Sequence, residues 1–201
     1  MDTFVTEHRK WSHADVAALL ISYTALSTLA MDDALKVVGL MRPKRIKAGT
    51  VLIQEGASNT GHMLLILRGE AVVQNESLKK ADALTLSTLT TGHIVGEMGL
   101  FDDGPRSATC TAVTEMDVAI LALDSLSTLI SHEPAVGCKL LAALLQRISA
   151  RLRNTTQKLR ALTQVNRTLE QELNKLHQLN QPAAPFLNTG SNNSPGFLLL
   201  P

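Results

Sequence analysis

The sequence predicts an α+β protein: a sandwich or barrel of short strands, flanked by helices and followed by a long C-terminal helix. Three observations lead to this prediction. Between Lys47 and Leu123, short apolar runs alternate with glycines, a pattern typical of small β-barrels and sandwiches. Before this zone, residues 12–41 repeat apolar side chains at helical spacing. After it, a stretch without glycine or proline begins at Cys138.

The composition limits the classes of function. The 201 residues carry a formal net charge of +1 and only four Phe, one Tyr and one Trp. A charge near zero argues against a protein that coats nucleic acid, and scarce aromatics argue against binding by base stacking. The two cysteines, Cys110 and Cys138, show no metal-ligand spacing and no disulfide framework. Without a signal peptide or an apolar stretch of about 18 residues, we expect a soluble cytoplasmic protein that makes no membrane contact.

The first segment, residues 1–45, is predicted to be helical. Ser12 is a suitable N-cap, because its hydroxyl accepts a hydrogen bond from the backbone of the first turn. Apolar residues then recur at helix-like spacing up to Val38, and Pro43 ends the pattern. We therefore expect helix over residues 12–41.

The second segment, residues 46–133, is predicted to form the barrel. Its core must be aliphatic, since Phe101 is the only aromatic residue in it. Glycines mark the turns between the strands. The predicted strands are apolar runs: Val51–Ile53, Met63–Leu67, Ala71–Val73, Ala83–Leu89 and Val118–Leu121.

The third segment, residues 134–180, is predicted to be one long helix that dimerises as a coiled coil. Its heptad repeat places Leu145, Leu152, Leu159, Asn166, Leu173 and Asn180 at position a, and Leu141, Ile148, Thr155, Leu162, Leu169 and Leu176 at position d. An asparagine at position a favours two strands in register, so we expect a parallel homodimer. The alternative is a long helix packed on the barrel. That alternative explains the apolar residues up to Leu152 but not a seam that continues to Leu176.

The sequence also marks both ends of this helix. Before it, Asp124 and Ser125 can cap a short helix that ends at His132, and Pro134 suits the first turn of the next helix. After it, residues 176–201 contain no charged side chain and four of the seven prolines. The tail, residues 181–201, is therefore predicted to be disordered.

The segment Gly96–Thr109 has the residue types of an anion site. Gly96 allows the backbone to approach a ligand closely. A helical turn over Met98–Phe101 would direct its free N–H groups toward an anion. Arg106 adds a permanent positive charge whose planar fork matches a phosphate, and Ser107 adds a hydroxyl and a backbone N–H. These residues together predict a site for a phosphate group.

The carboxylate of Glu97 completes the motif, because an acceptor-only group suits sugar hydroxyls and not a phosphate. The segment Gly96–Thr109 strongly resembles the phosphate-binding cassette of the cyclic nucleotide-binding domain family, especially its catabolite activator (cAMP receptor protein) branch. The resemblance covers roughly residues 20–160. Further family marks are Ala48–Gly49, Glu55–Gly56, Leu67–Gly69 and Gly92.

The resemblance implies a β-roll, that is, a double-stranded β-helix of jelly-roll type, and a ligand that is most often cAMP. In the family, the residue matching Glu97 binds the ribose hydroxyl and the one matching Arg106 pairs with the cyclic phosphate. The residue matching Ser107 and backbone N–H groups near Gly96 and Met98 assist. The resemblance implies no enzyme activity, no metal and no cofactor.

The resemblance also implies a role for the long helix. In the catabolite activator branch, a Thr-Ser pair on this helix contacts adenine, one residue from each subunit, and Thr155 and Thr156 align with that pair. The DNA-binding branch continues into a winged helix-turn-helix of about sixty residues, for which the sequence after Asn180 has no room. We therefore expect a cAMP sensor that acts on a partner protein and does not bind DNA directly.

Other hypotheses remain open at this point. Glu97 and Arg106 can form a structural ion pair in a domain without ligand. His62 and His93 raise the possibility of a metal-dependent enzyme of the cupin type, although no carboxylate clusters with them. A sensor of cGMP or of a cyclic dinucleotide is another alternative, and the hydroxyl of Ser107 is compatible with cGMP. The last is a transcriptional regulator that acts without a DNA-binding domain of its own.

Overall fold

A computed structural model of the protein describes residues 3–6, 9–58, 61–75, 84–102 and 104–179. The predicted disordered tail, residues 181–201, lies outside this part of the chain. The chain divides into two compact units, Met1–Leu152 and Arg153–Pro201. The predicted β fold with flanking helices and a long C-terminal helix is confirmed, and its sheets are antiparallel.

The first unit contains all the described strands. They are β1 (Thr3–Thr6), β2 (Arg9–Ser12), β3 (Arg42–Ile46), β4 (Val51–Ile53), β5 (His62–Arg68), β6 (Ala71–Asn75), β7 (Leu84–Leu89), β8 (Ile94–Val95), β9 (Thr109–Ala112) and β10 (Met116–Ala122). Strands β1 and β2 form a hairpin. The others form two antiparallel sheets, in the orders β3-β10-β5-β8 and β4-β9-β6-β7.

The helices are α1 (His13–Leu20), α2 (Met31–Val38), α3 (Leu123–His132) and α4 (Pro134–Leu179). Ser12 caps α1 as predicted: its Oγ accepts from the Asp15 N–H at 3.0 Å, and the Asp15 carboxylate accepts from the Ser12 N–H at 3.2 Å. This reciprocal pair is a capping box. A short 3₁₀ turn, Glu97–Leu100, follows β8.

Strand β5 shows how the barrel is built. Its run of five buried residues, Met63–Leu67, alternates between two apolar cores. Met63, Leu65 and Leu67 face a core shared with the helices, whereas Leu64 and Ile66 face the space between the two sheets. A strand covered on both faces needs apolar residues at every position, which is why this run is not amphipathic.

The helical zone predicted over residues 12–41 is interrupted. Helix α1 ends at Leu20 and α2 begins at Met31. Between them, the Thr24 hydroxyl donates to the Gly92 carbonyl at 2.9 Å and lies 2.9 Å from the Ser22 hydroxyl. Short hydroxyl side chains compete with the helical backbone in this way, and a long-range contact then decides the outcome.

Two other sequence expectations differ from the structure. Asp124 and Ser125 do not cap α3, because the N-cap is Ala122 and no side-chain hydrogen bond caps the helix. Strand β10 runs directly into this helix, and the Leu123 N–H donates to the carbonyl of Gly61. Strands β3 and β9 carry too few apolar residues to be recognised from the sequence.

The second unit contains the part of α4 after Leu152. Its described side chains are exposed throughout, up to His177. The exposed residues include the large apolar ones at heptad positions a and d: Leu159, Leu162, Leu169, Leu173 and Leu176. Over the part of the chain that the structure covers, no helix is both long and apolar enough to span a lipid bilayer.

Candidate functional site

The candidate site begins where β8 ends. Gly96 has a φ of 82°, in the left-handed region. A Cβ at this position would lie 2.9 Å from Ile53 Cδ1 and 3.0 Å from the His62 carbonyl oxygen. Both the conformation and the close approach therefore require glycine. The chain then enters the 3₁₀ turn, which starts at Glu97 and not at Met98 as predicted.

Arg106 is held against this turn by backbone carbonyls. Its Nη1 donates to the Gly96 carbonyl at 3.1 Å and its Nη2 donates to the His62 carbonyl at 3.3 Å. Burial lowers the pKa of the guanidinium, while the charges of Asp102 and Glu97 act in the opposite direction. Arginine remains charged under such conditions. The two carbonyls thus orient the Arg106 guanidinium beside the start of the 3₁₀ turn.

Glu97 is a buried carboxylate, with only 1% of the residue exposed. Its Oε1 accepts a hydrogen bond from Arg151 Nη1 at 3.0 Å, and the Arg151 side chain is 56% exposed. Among the described residues, no ion pair joins Glu97 to Arg106 within 4 Å. The alternative in which these two residues form a structural pair is therefore wrong. The Glu97 carboxylate pairs instead with Arg151 of α4.

These groups line one open pocket in the described part of the chain. Five of the predicted site residues are brought together in its wall: Gly96, Glu97, Met98, Arg106 and Ser107. The pocket thus combines a cation, a carboxylate, a hydroxyl and the start of a 3₁₀ turn, where backbone N–H groups lack partners within the turn. Such a set suits a ligand that carries both a phosphate and sugar hydroxyls.

The inner wall of the pocket is apolar. Ile53, Val73, Val95, Ala108 and Cys110 contribute to it, and all are aliphatic or small. Burial raises the pKa of the Cys110 thiol to about 11, so the thiol is protonated at neutral pH and unreactive. This wall has the aliphatic character that the sequence predicted for the barrel interior.

Thr155 and Thr156 lie on α4 beyond Leu152, in the second unit, and both are exposed. Their contact with a base stays a prediction. In contrast, Arg151 lines the pocket and was not among the predicted site residues. It lies one helical turn before Thr155, but no local signal identifies which side chain of a long helix reaches a carboxylate on another element.

One of the two histidines considered as metal ligands has its ring in another contact, because Nδ1 of His93 lies 3.0 Å from the Thr90 carbonyl. Within the described ranges, no three His, Cys, Asp or Glu side chains are grouped in a way that would hold a metal ion.

The comparison with known families agrees with this geometry. Residues 43–133 match the family model of the cyclic nucleotide-binding domain. The matched range contains both sheets and the turn that begins at Gly96. Over these residues the chain is thus similar to a cyclic nucleotide-binding domain. Glu97 and Arg106 lie in this range, within the segment Gly96–Thr109 that resembles the family's cassette.

Proteins similar to this chain include a kinase regulatory subunit, a bacterial nucleotide-binding domain and a catabolite activator protein. The chain is 33% identical over 105 residues to a cAMP-dependent protein kinase regulatory subunit from Yarrowia lipolytica, which is 52% of this chain and 27% of that subunit. A cyclic nucleotide-binding domain from Methylobacillus flagellatus superposes with a TM-score of 0.63 at 28% identity, covering 73% of this chain and 81% of that one. The catabolite activator protein of Thermus thermophilus superposes with a TM-score of 0.57 at 27% identity, covering 72% and 63%. The chain thus spans about a quarter of the kinase subunit.

Proposed function

We propose that this protein is a sensor that binds cAMP in the pocket and releases it unchanged. The observation that carries the proposal is the convergence of Arg106, Ser107 and the 3₁₀ turn with the carboxylate of Glu97 in one pocket. Arg106, Ser107 and the backbone N–H groups at Gly96 and Met98 would hold the cyclic phosphate, and Glu97 the ribose hydroxyl. The chain is similar to the regulatory subunit of a protein kinase that is named as cAMP-dependent.

We further propose that α4 transmits the occupancy of the pocket. Arg151 places a charge from α4 on the carboxylate that the ribose would use. A ligand that bonds to Glu97 therefore has a different affinity for states in which Arg151 is bound or released. Such a difference is the requirement for a ligand to shift a conformational equilibrium. The receiver would be a partner protein, and we expect no direct binding to duplex DNA.

The proposal includes a second copy of the chain and a location in the cytoplasm. The exposed heptad seam of α4 would pair with its equivalent in a parallel homodimer. Thr155 and Thr156 would then border the seam, where they would contact the purine base. Both cysteines are free thiols, one buried and one exposed, which supports a reducing compartment.

Calorimetric titration of cAMP, cGMP and cyclic di-GMP into the wild type and Arg106→Ala tests the site. A lost charge-assisted contact costs about 1.5–3 kcal/mol, so the variant should bind about 10–150 times more weakly. Arg42→Ala is the matched control, since Arg42 is an exposed arginine on β3 that does not line the pocket. Equal affinity in the wild type and Arg106→Ala would refute the assigned site.

The same titration decides between cAMP and cGMP. Ser107 lines the pocket beside Arg106, and its hydroxyl is compatible with cGMP. Tighter binding of cGMP that is lost in Ser107→Ala would assign cGMP as the ligand. Tighter binding of cAMP, unchanged in its ratio to cGMP by this substitution, would support the proposal as stated.

A further inference from the structure

Arg147 is a partly buried arginine of α4, and its hydrogen bonds within the described ranges all go to main-chain carbonyls. Its Nη1 donates to the carbonyl oxygens of Thr24 and Ala25, the latter at 3.4 Å, and its Nη2 donates to that of Ile94 at 3.2 Å. Burial lowers the pKa of this guanidinium. A partly buried cation with no carboxylate in ion-pair contact among the described residues loses hydration without a charged partner, so its position needs an explanation.

The three acceptors belong to two different segments. Thr24 and Ala25 lie between α1 and α2, whereas Ile94 lies on β8, two residues before Gly96. The two segments are also bonded to each other, because the Thr24 hydroxyl donates to the Gly92 carbonyl at 2.9 Å. One guanidinium therefore joins α4, the segment after α1 and the strand that leads into the pocket.

Arg147 is one helical turn from Arg151, so the two side chains lie on the same face of α4. The charge of Glu97 raises the pKa of Arg147, and the charge of Arg151 lowers it. Both charges act on the guanidinium of Arg147, although Arg147 itself does not line the pocket.

We propose that Arg147 is a positioning residue for the nucleotide site. By holding the Ile94 carbonyl, it sets the end of β8 against α4 and thereby the place where Gly96 and the 3₁₀ turn begin. The inference rests on the proposed function, since its consequence is a change in cyclic nucleotide affinity. The planar fork of arginine is needed, because two nitrogens must reach carbonyls on separate segments at once.

Two substitutions of Arg147 and one of Thr24 test this role. Arg147→Met removes every donor at similar length, Arg147→Lys keeps the charge without the fork, and Thr24→Val removes only the hydroxyl that bonds Gly92. Arg153→Met is the matched control on the same helix, since Arg153 is exposed. Each full-length variant is measured for cAMP and cGMP affinity, for thermal unfolding, and for amide hydrogen exchange over residues 94–100 without ligand.

We expect Arg147→Met to bind the preferred nucleotide about tenfold more weakly. A loss of this size is typical when a substitution breaks a network of packed residues that leads to a site. Exchange over residues 94–100 should rise in the folded protein, Arg147→Lys should recover only part of the affinity, and Thr24→Val should show a smaller loss. Arg153→Met should match the wild type in nucleotide affinity and in exchange over residues 94–100. A folded Arg147→Met with unchanged affinity and unchanged exchange would overturn the inference.

Two further outcomes are distinguishable. If Arg147→Met does not fold, Arg147→Lys and Thr24→Val decide, and wild-type affinity and exchange in both would overturn the inference. If the wild type binds neither nucleotide, the proposed function fails. Exchange over residues 94–100 then tests the positioning role by itself: raised exchange in the Arg147 variants retains it, and unchanged exchange overturns it.

Discussion

Gly96 shows how much a single residue decides in this protein. Its positive φ turns the chain out of β8, and its missing side chain leaves room for Ile53 and for the His62 carbonyl. The same carbonyl accepts from Arg106. Conformation, packing and orientation of the cation therefore all depend on one backbone position.

We predict that Gly96→Ala destabilises the protein more than Gly49→Ala. Gly49 also has a positive φ, of 79°, but a Cβ there meets nothing within 4 Å. Gly49→Ala should therefore cost only the left-handed conformation, about 1–2 kcal/mol. Gly96→Ala adds overlap with Ile53 and with a backbone oxygen, roughly 1–3 kcal/mol more. Urea unfolding of both variants measures the difference, and equal losses would contradict the close approach at Gly96.

At the scale of elements, an ion-pair network joins three neighbouring strands. Glu115, just before β10, pairs with Arg45 of β3 and with Arg68 of β5. Arg68 also donates to the buried carboxylate of Asp117 at 3.2 Å. This network accounts for part of the charge of β3, a strand that apolar patterning could not predict.

The network predicts a pH dependence of stability. The hydrogen bond from Arg45, with the charges of Arg45 and Arg68, lowers the pKa of Glu115. A carboxyl with a lower pKa in the folded state stabilises the fold near neutral pH and loses this contribution as the pH falls through that pKa. The wild type should therefore be more stable than Glu115→Gln at pH 7, and the gap should close below the usual glutamate pKa of about 4.3.

Unfolding by urea between pH 7 and pH 3 measures this gap. Arg45→Gln provides the control, because it removes the largest cause of the shift. In that background, Glu115→Gln should show a smaller gap at pH 7, as expected for coupled residues. A gap that does not depend on pH would contradict the ion-pair account.

At the scale of the whole molecule, α4 is the largest unexplained feature. Its 46 residues correspond to about 69 Å of helix. Val136, Leu140, Ala143 and Leu144 of α4 are buried in the helix-side core, but the large apolar residues of the second unit are exposed. A regular row of exposed leucines is typical of an interaction surface.

We predict that the full chain is a homodimer and that Leu162→Glu converts it to a monomer. Leu162, at heptad position d, is 62% exposed in the single chain, and a carboxylate in a coiled-coil seam would be buried without a partner. Ala161→Glu is the control, since it adds the same charge one residue away, outside the seam. Sedimentation velocity separates the species. A monomeric wild type, or a dimeric Leu162→Glu, would refute the seam.

The sequence by itself determined the features that depend on local chemistry. The cap at Ser12, the central strand around Met63–Leu67 and the cassette at Gly96 could all be predicted. Each is set by the backbone preference, hydrogen-bonding capacity or apolar run of neighbouring residues. Five of the seven predicted site residues line one pocket for the same reason, since they lie within one short segment.

Only the tertiary structure decided which distant residues meet. Arg151 and Glu97 are 54 positions apart, and Arg147 and Ile94 are 53 apart. The break between α1 and α2 likewise depends on a contact with Gly92. These contacts link α4 to the rest of the first unit. They follow from how the helix packs against the barrel, and no spacing of residues along the chain specifies that packing.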